Sequence, residues 1–119
     1  MFKIVKMDNK EFSKELEKRT KKFAIAIIRL SSSLPDTIEA KVIRNQLTKS
    51  GTSVGANYRE ANRSRSKADF INKIKISESE ANETVFWLEI IEELKWSEVN
   101  NLQIIIHSIC VKYSTIYLL

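Results

Sequence analysis

A heptad spacing in the second half of the chain constrains the fold more than any other feature. From Phe70, the residues Ile74, Ser77, Ala81, Thr84, Leu88 and Ile91 follow at alternating steps of four and three without a slip. Such a run keeps small or apolar side chains on one helix face at every turn, and a seam of that kind needs other helices to cover it. The last stretch behaves the same way, with Val99, Leu102, Ile106, Ile109, Tyr113 and Ile116 repeating at three and four. Two earlier stripes complete the set. Phe12, Leu16, Phe23, Ile27 and Leu30 mark a helix over about residues 10–32, and Ala40, Ile43, Leu47, Ser50, Val54 and Ala61 mark a second one.

The punctuation between the stripes agrees with this reading. Leu34-Pro35 ends the first helix, because proline disfavours helical backbone in the residue before it. Asp36, with Glu39 three positions on, is the expected N-cap of the second helix. Ser66 with Asp69 forms an arrangement like a capping box for the third, and Ser97 is the expected cap of the fourth. Only two glycines and one proline occur in 119 residues, too few turn-formers for a sheet-rich fold. Both glycines fall within Ser50-Gly51-Thr52-Ser53-Val54-Gly55-Ala56, where each costs about 1 kcal/mol against alanine in a helix. Their four-residue spacing predicts a continuous helix approached closely by a neighbour. Four helices joined by short links give an all-α, antiparallel up-down-up-down four-helix bundle, expected as a single domain over residues 1–119.

Several function classes find no support. The start, Met1 to Asp8, has no sustained apolar stretch resembling a signal peptide, and runs such as Phe23 to Ile28 are far shorter than the roughly 20 residues a membrane span needs. Cys110 is the only cysteine, which excludes an internal disulfide and suits the cytoplasm. Gly51 to Gly55 lacks the Gly-Lys-Ser/Thr ending and the preceding strand of a phosphate loop. His107 and Cys110 could touch one metal, but no other histidine or cysteine completes a set. Glu80 and Glu83 lie on successive turns without the Glu-x-x-His partners of a di-metal bundle. The expectation is a protein with no catalytic site, metal or cofactor.

Charge is unevenly placed. Between Lys41 and Lys75 there are nine lysines and arginines against only Glu60 and Asp69, whereas from Ile76 to Asn100 seven glutamates face Lys95 alone. The formal net charge is +5 and the pI about 9.4. Arg44, Lys49, Arg59, Arg63, Arg65, Lys67 and Lys73 are the candidate nucleic-acid-binding residues, with several of them gathered at the turn between the second and third helices. Arginine suits phosphate because its planar fork binds two oxygens at once, and each neutralised phosphate releases counterions. The same charges also suit a solvated turn, or pairing between copies of the chain that sets the register of an oligomer. Trp87, Ile90 and Leu94 in the third helix and Ile104, Ile105, Val111, Leu118 and Leu119 in the fourth exceed what one seam uses, which predicts a homo-oligomer. Asn57, with Glu80 or Glu83, is a candidate buried network fixing helix register.

The run from Gln46 to Ala61, Gln-Leu-Thr-Lys-Ser-Gly-Thr-Ser-Val-Gly-Ala-Asn-Tyr-Arg-Glu-Ala, resembles the bacterial 23S rRNA intervening-sequence proteins. Ser66 to Lys73, Glu80 to Thr84, Trp87-Leu88, and Phe23 to Leu30 followed by Leu34-Pro35 extend the likeness. The resemblance implies a four-helix bundle assembled as a ring-shaped homopentamer and an association with insertions in ribosomal RNA genes. It also implies kinship with the accessory proteins of diversity-generating retroelements, which are thought to bind nucleic acid and a reverse transcriptase. RNA or DNA is therefore the expected partner. A protein-interaction scaffold or accessory subunit without nucleic-acid contact is the alternative.

Overall fold

A computed structural model of the chain describes the backbone of residues 2–117 and the side chains of residues 10–117. It contains α1 (Phe2–Ser33), α2 (Ile38–Ala61), α3 (Lys67–Glu93) and α4 (Asn100–Ile116). Each helix packs on two neighbours, α1 and α3 both lying between α2 and α4, so the four close into a bundle. The stripes face inward as their spacing requires. Leu16, Phe23, Ile27, Leu47, Val54, Ile74, Ala81, Leu88, Ile106, Ile109 and Tyr113 are all buried. Tyr58 and Thr20, which the apolar stripes omit, are buried among them.

Three boundaries differ from expectation. Helix α1 begins at Phe2 rather than near residue 10, since no glycine or proline interrupts residues 2–33. Thr37, not Asp36, caps α2: its backbone is extended and its Oγ1 accepts from the Ala40 amide at 3.1 Å. Ala40 is fully buried, so burial of that position sets the capping register one residue later. Ser97 does not cap α4. Val99 occupies the cap position, buried and unable to accept, and the Glu98 carboxylate takes the Asn100 amide instead at 2.9 Å. The expected Ser66 cap is present, accepting from the Asp69 amide at 3.1 Å. Helix α3 ends with Lys95 in the left-handed region (φ 57°). The Lys95 amide donates to Glu92 and the Trp96 amide to Ile91, the paired bonds that close a Schellman turn.

Helix α2 runs unbroken through both glycines, and they set the distance to α1. A Cβ on Gly51 would lie 2.7 Å from Ile27 Cγ2 and 2.9 Å from its Cγ1; one on Gly55 would lie 3.1 Å from Thr20 Oγ1 and 3.3 Å from its backbone carbon. The backbones therefore meet where side chains would otherwise hold them apart. On the opposite side of α2, small hydroxyls serve the same end. Thr84 Oγ1 donates to Ser50 Oγ at 3.0 Å, and Ser77 Oγ donates to the Val54 carbonyl at 2.6 Å. A serine hydroxyl has one proton, so Tyr113 must be the donor in its 2.6 Å bond to Ser77. These bonds fix the register of α2, α3 and α4. The expected Asn57–glutamate network does not form, because Asn57 Nδ2 donates within α2 to the Ser53 carbonyl at 2.8 Å.

Gly51→Ala gains about 1 kcal/mol of helix propensity, but it drives a methyl into a β-branched, buried neighbour with few rotamers to escape to. Overpacking of that kind costs about 1–3 kcal/mol. Chemical denaturation should show a net loss of up to about 2 kcal/mol, and a gain in stability would mean that the helices are not held this close.

Candidate nucleic-acid interface

The groove between α1 and α2 follows from that close approach. Thr20, Ala24, Thr52, Gly55 and Ala56 floor it, all small enough to keep it concave, and Glu17, Lys21, Arg59 and Glu60 complete its lining. Along one edge Lys14, Lys18 and Lys21 stand on α1 at steps of four and three, and they share a depression of about 410 Å³ with Glu17 and Arg59 of α2. All three lysines are exposed. Glu17 is the one acid among them, and both of its oxygens are engaged: Oε1 lies 3.3 Å from Arg59 Nε, and Oε2 accepts from Asn62 Nδ2 at 2.9 Å.

Arg59 continues into the α2–α3 turn. Arg63 donates from Nη1 to the Arg59 carbonyl at 3.4 Å, where a cation also meets the negative end of the α2 dipole. Arg65 and Lys67 follow, both exposed, on a turn held by the Ser66 cap. Among the described residues the only ion pairs are Arg59 with Glu17 and Lys73 with Asp69 at 3.3 Å, so Lys14, Lys18, Lys21, Arg63, Arg65 and Lys67 carry charge that no carboxylate pairs.

The seven residues expected from sequence do not form one patch. Arg59, Arg63, Arg65 and Lys67 come together at the turn. Lys73 is about 9 Å further along α3 and is paired with Asp69. Arg44 and Lys49 sit about 22 and 15 Å from Arg59 along α2. Lys49 neighbours Glu80 of α3, whose carboxyl it acts upon, and so lies on the flank away from the lysines of α1. What the charge count missed is Lys14, Lys18 and Lys21. Their spacing is a helical stripe as regular as the apolar one, but interleaved glutamates disguise it in the linear sequence.

The remaining polar groups divide differently. Glu80 is half-buried and its Oε2 has no hydrogen-bond partner; burial raises its carboxyl above the ordinary range, with Glu83 adding to the shift and Lys49 opposing it. Trp87 Nε1, two turns along the same helix, is also buried without a partner. Cys110 is half-buried and burial pushes its thiol upward, away from the reactive thiolate. His107 is exposed on the surface. Among the described residues no three His, Cys, Asp or Glu side chains converge, and no helix is long and apolar enough to cross a membrane.

Residues 13–112 match the family model described as 23S rRNA-intervening sequence protein. The chain is also similar to the crystal structure of a protein with unknown function from the S23 ribosomal protein family of Bacteroides thetaiotaomicron. The two share 34% sequence identity over 88% of this chain and 96% of that chain, with a TM-score of 0.81. No curated protein matches.

Glu17 is the acid of the groove that pairs with Arg59. Glu17→Gln should leave stability within about 1 kcal/mol, since the Arg59 pair is partly exposed. It should move elution from a heparin column to higher salt. Unchanged elution would place polyanion contact elsewhere on the molecule.

Proposed function

Because the chain belongs to the 23S rRNA-intervening sequence protein family, we propose that it is a cytoplasmic, non-enzymatic homo-oligomer that holds the phosphate backbone of RNA or DNA along the α1–α2 groove and the α2–α3 turn. The observation that carries this reading is the row Lys14, Lys18 and Lys21 beside Arg59, continuing to Arg63, Arg65 and Lys67, with Glu17 already bonded and Glu60 the other acid on the groove. Cations outnumber acids along this surface, which favours a polyanion over a merely solvated face. Concave, cationic and built on rigid helices, it suits backbone contact more than reading of base sequence.

Self-association draws support from a different face. Phe86 and Leu94 of α3 and Ile104 and Val111 of α4 are each about half exposed or more, a large apolar area for so small a chain. The buried, unpartnered Glu80 Oε2 and Trp87 Nε1 point the same way, since such groups cost about 1–3 kcal/mol each unless a partner arrives. A ring of five copies is the assembly that the family resemblance implies. A protein-interaction scaffold without nucleic-acid contact is the second reading, favoured by the same apolar residues.

Replacing Lys14, Lys18 and Lys21 with Gln should weaken binding to structured RNA and lower the slope of log affinity against log salt by about 2–3, as each lost phosphate contact removes roughly 0.7–0.9. An unchanged slope would favour the scaffold. Light scattering should give a mass several times 13.8 kDa, and Phe86→Glu with Ile104→Glu should bring it down to one chain. A wild-type monomer would remove the assembly.

A further inference from the structure

Where the α2–α3 turn meets α1 and the end of α4, a cavity of about 360 Å³ opens beside the basic turn. Half of its lining residues are aromatic: Phe12 of α1, Tyr58 of α2, Phe70 of α3 and Tyr117 just after α4. Among the described residues Lys67, the first residue of α3, contributes the one cation, and no acid lines the space. The walls are held from behind. Tyr58 stacks on Tyr113 with ring centroids 5.8 Å apart, and Tyr113 is in turn fixed by its bond to Ser77. Lys112 Nζ sits 5.7 Å from the centre of the Phe12 ring.

We infer that this cavity takes an unstacked nucleobase from the bound strand, with Lys67 and the neighbouring Arg65 on its flanking phosphates. The inference rests on the nucleic-acid reading and adds to it a preference for single-stranded or looped nucleic acid. Aromatic side chains receive any base, because every base has a π face, and a base can reach such a pocket only where the strand is not paired. A fatty carboxylate would also fill an apolar space, but its single charge would engage Lys67 alone and leave the arginines of the adjoining α2–α3 turn unused. A nucleotide within a strand presents a flat ring with a phosphate on either side, which matches an aromatic cavity with Lys67 in its wall and a cationic turn next to it in the chain.

The test uses fluorescence anisotropy of the full chain with a single-stranded uridine oligomer of about ten nucleotides and with a blunt RNA duplex of the same length. Ile71→Trp fills the cavity from its α3 wall. It should weaken single-strand binding about tenfold and leave duplex binding unchanged. Phe70→Leu, which keeps apolar volume and removes one ring, should act in the same direction and serves if Ile71→Trp fails to fold. Arg63→Gln with Arg65→Gln should weaken both RNAs. If the cavity variants leave single-strand affinity unchanged while the arginine variant still weakens it, the base pocket is overturned and the groove reading stands. If no variant changes either affinity, both readings fall. Decanoate that raises the melting temperature without competing against the oligomer would assign the cavity to a lipid carboxylate and overturn the inference.

Discussion

The contact between α1 and α2 at Gly51 and Gly55 governs the placement of every group of functional interest. With no Cβ at either position, Ile27 and Thr20 advance until they touch the backbone of α2, and the helices run close together along their length. Three consequences follow from that distance. Glu17 reaches both Arg59 and Asn62, which ties the end of α2 to α1. The lysines of α1 are brought to the edge of the same depression as Arg59. The groove between the helices keeps a narrow floor of small side chains. A bundle spaced by leucines at these points would set the two sources of positive charge further apart.

The other side of α2 achieves close packing by polar means. Ser50, Thr84 and Ser77 replace the large apolar residues common in a helical core, and each is satisfied by a hydroxyl or a carbonyl. Hydroxyls buried in this way add little net stability but penalise any slip, since a shift of one turn would separate Ser77 from both Tyr113 and the Val54 carbonyl. The Ser77–Tyr113 bond also fixes Tyr113, which stacks on Tyr58, so register in the core sets the shape of the cavity at the tip.

The helices, their order and nearly all of their inward faces were legible in the sequence, because a period of 3.6 repeated over four stripes has few other solutions. Small residues inside those stripes were legible too, and the glycines signalled close approach without naming the partner. Cap residues were read less well. Asp36 and Thr37 are both good caps, and the choice between them rests on which register buries Ala40, a tertiary fact. Ser97 lost its role to the burial of Val99. For the basic surface, the turn from Arg59 to Lys67 was visible as a run of like charge. Lys14, Lys18 and Lys21 were not, since their relation to Arg59 exists only once α1 lies against α2. Arg44 and Lys49 were grouped with the turn by counting along the chain, which ignores the length of α2.

The proposed module would meet a polyanion through its α1–α2 side and α2–α3 turn, and other copies of itself through α3 and α4. Hydrogen exchange measured with and without structured RNA separates these surfaces in one experiment. Slowed exchange of amides over residues 14–21 and 55–67, with α3 and α4 unaffected by RNA beyond their ends at the α2–α3 turn, is the expected result. Protection confined to α3 and α4, or none anywhere at saturating RNA, would contradict the account.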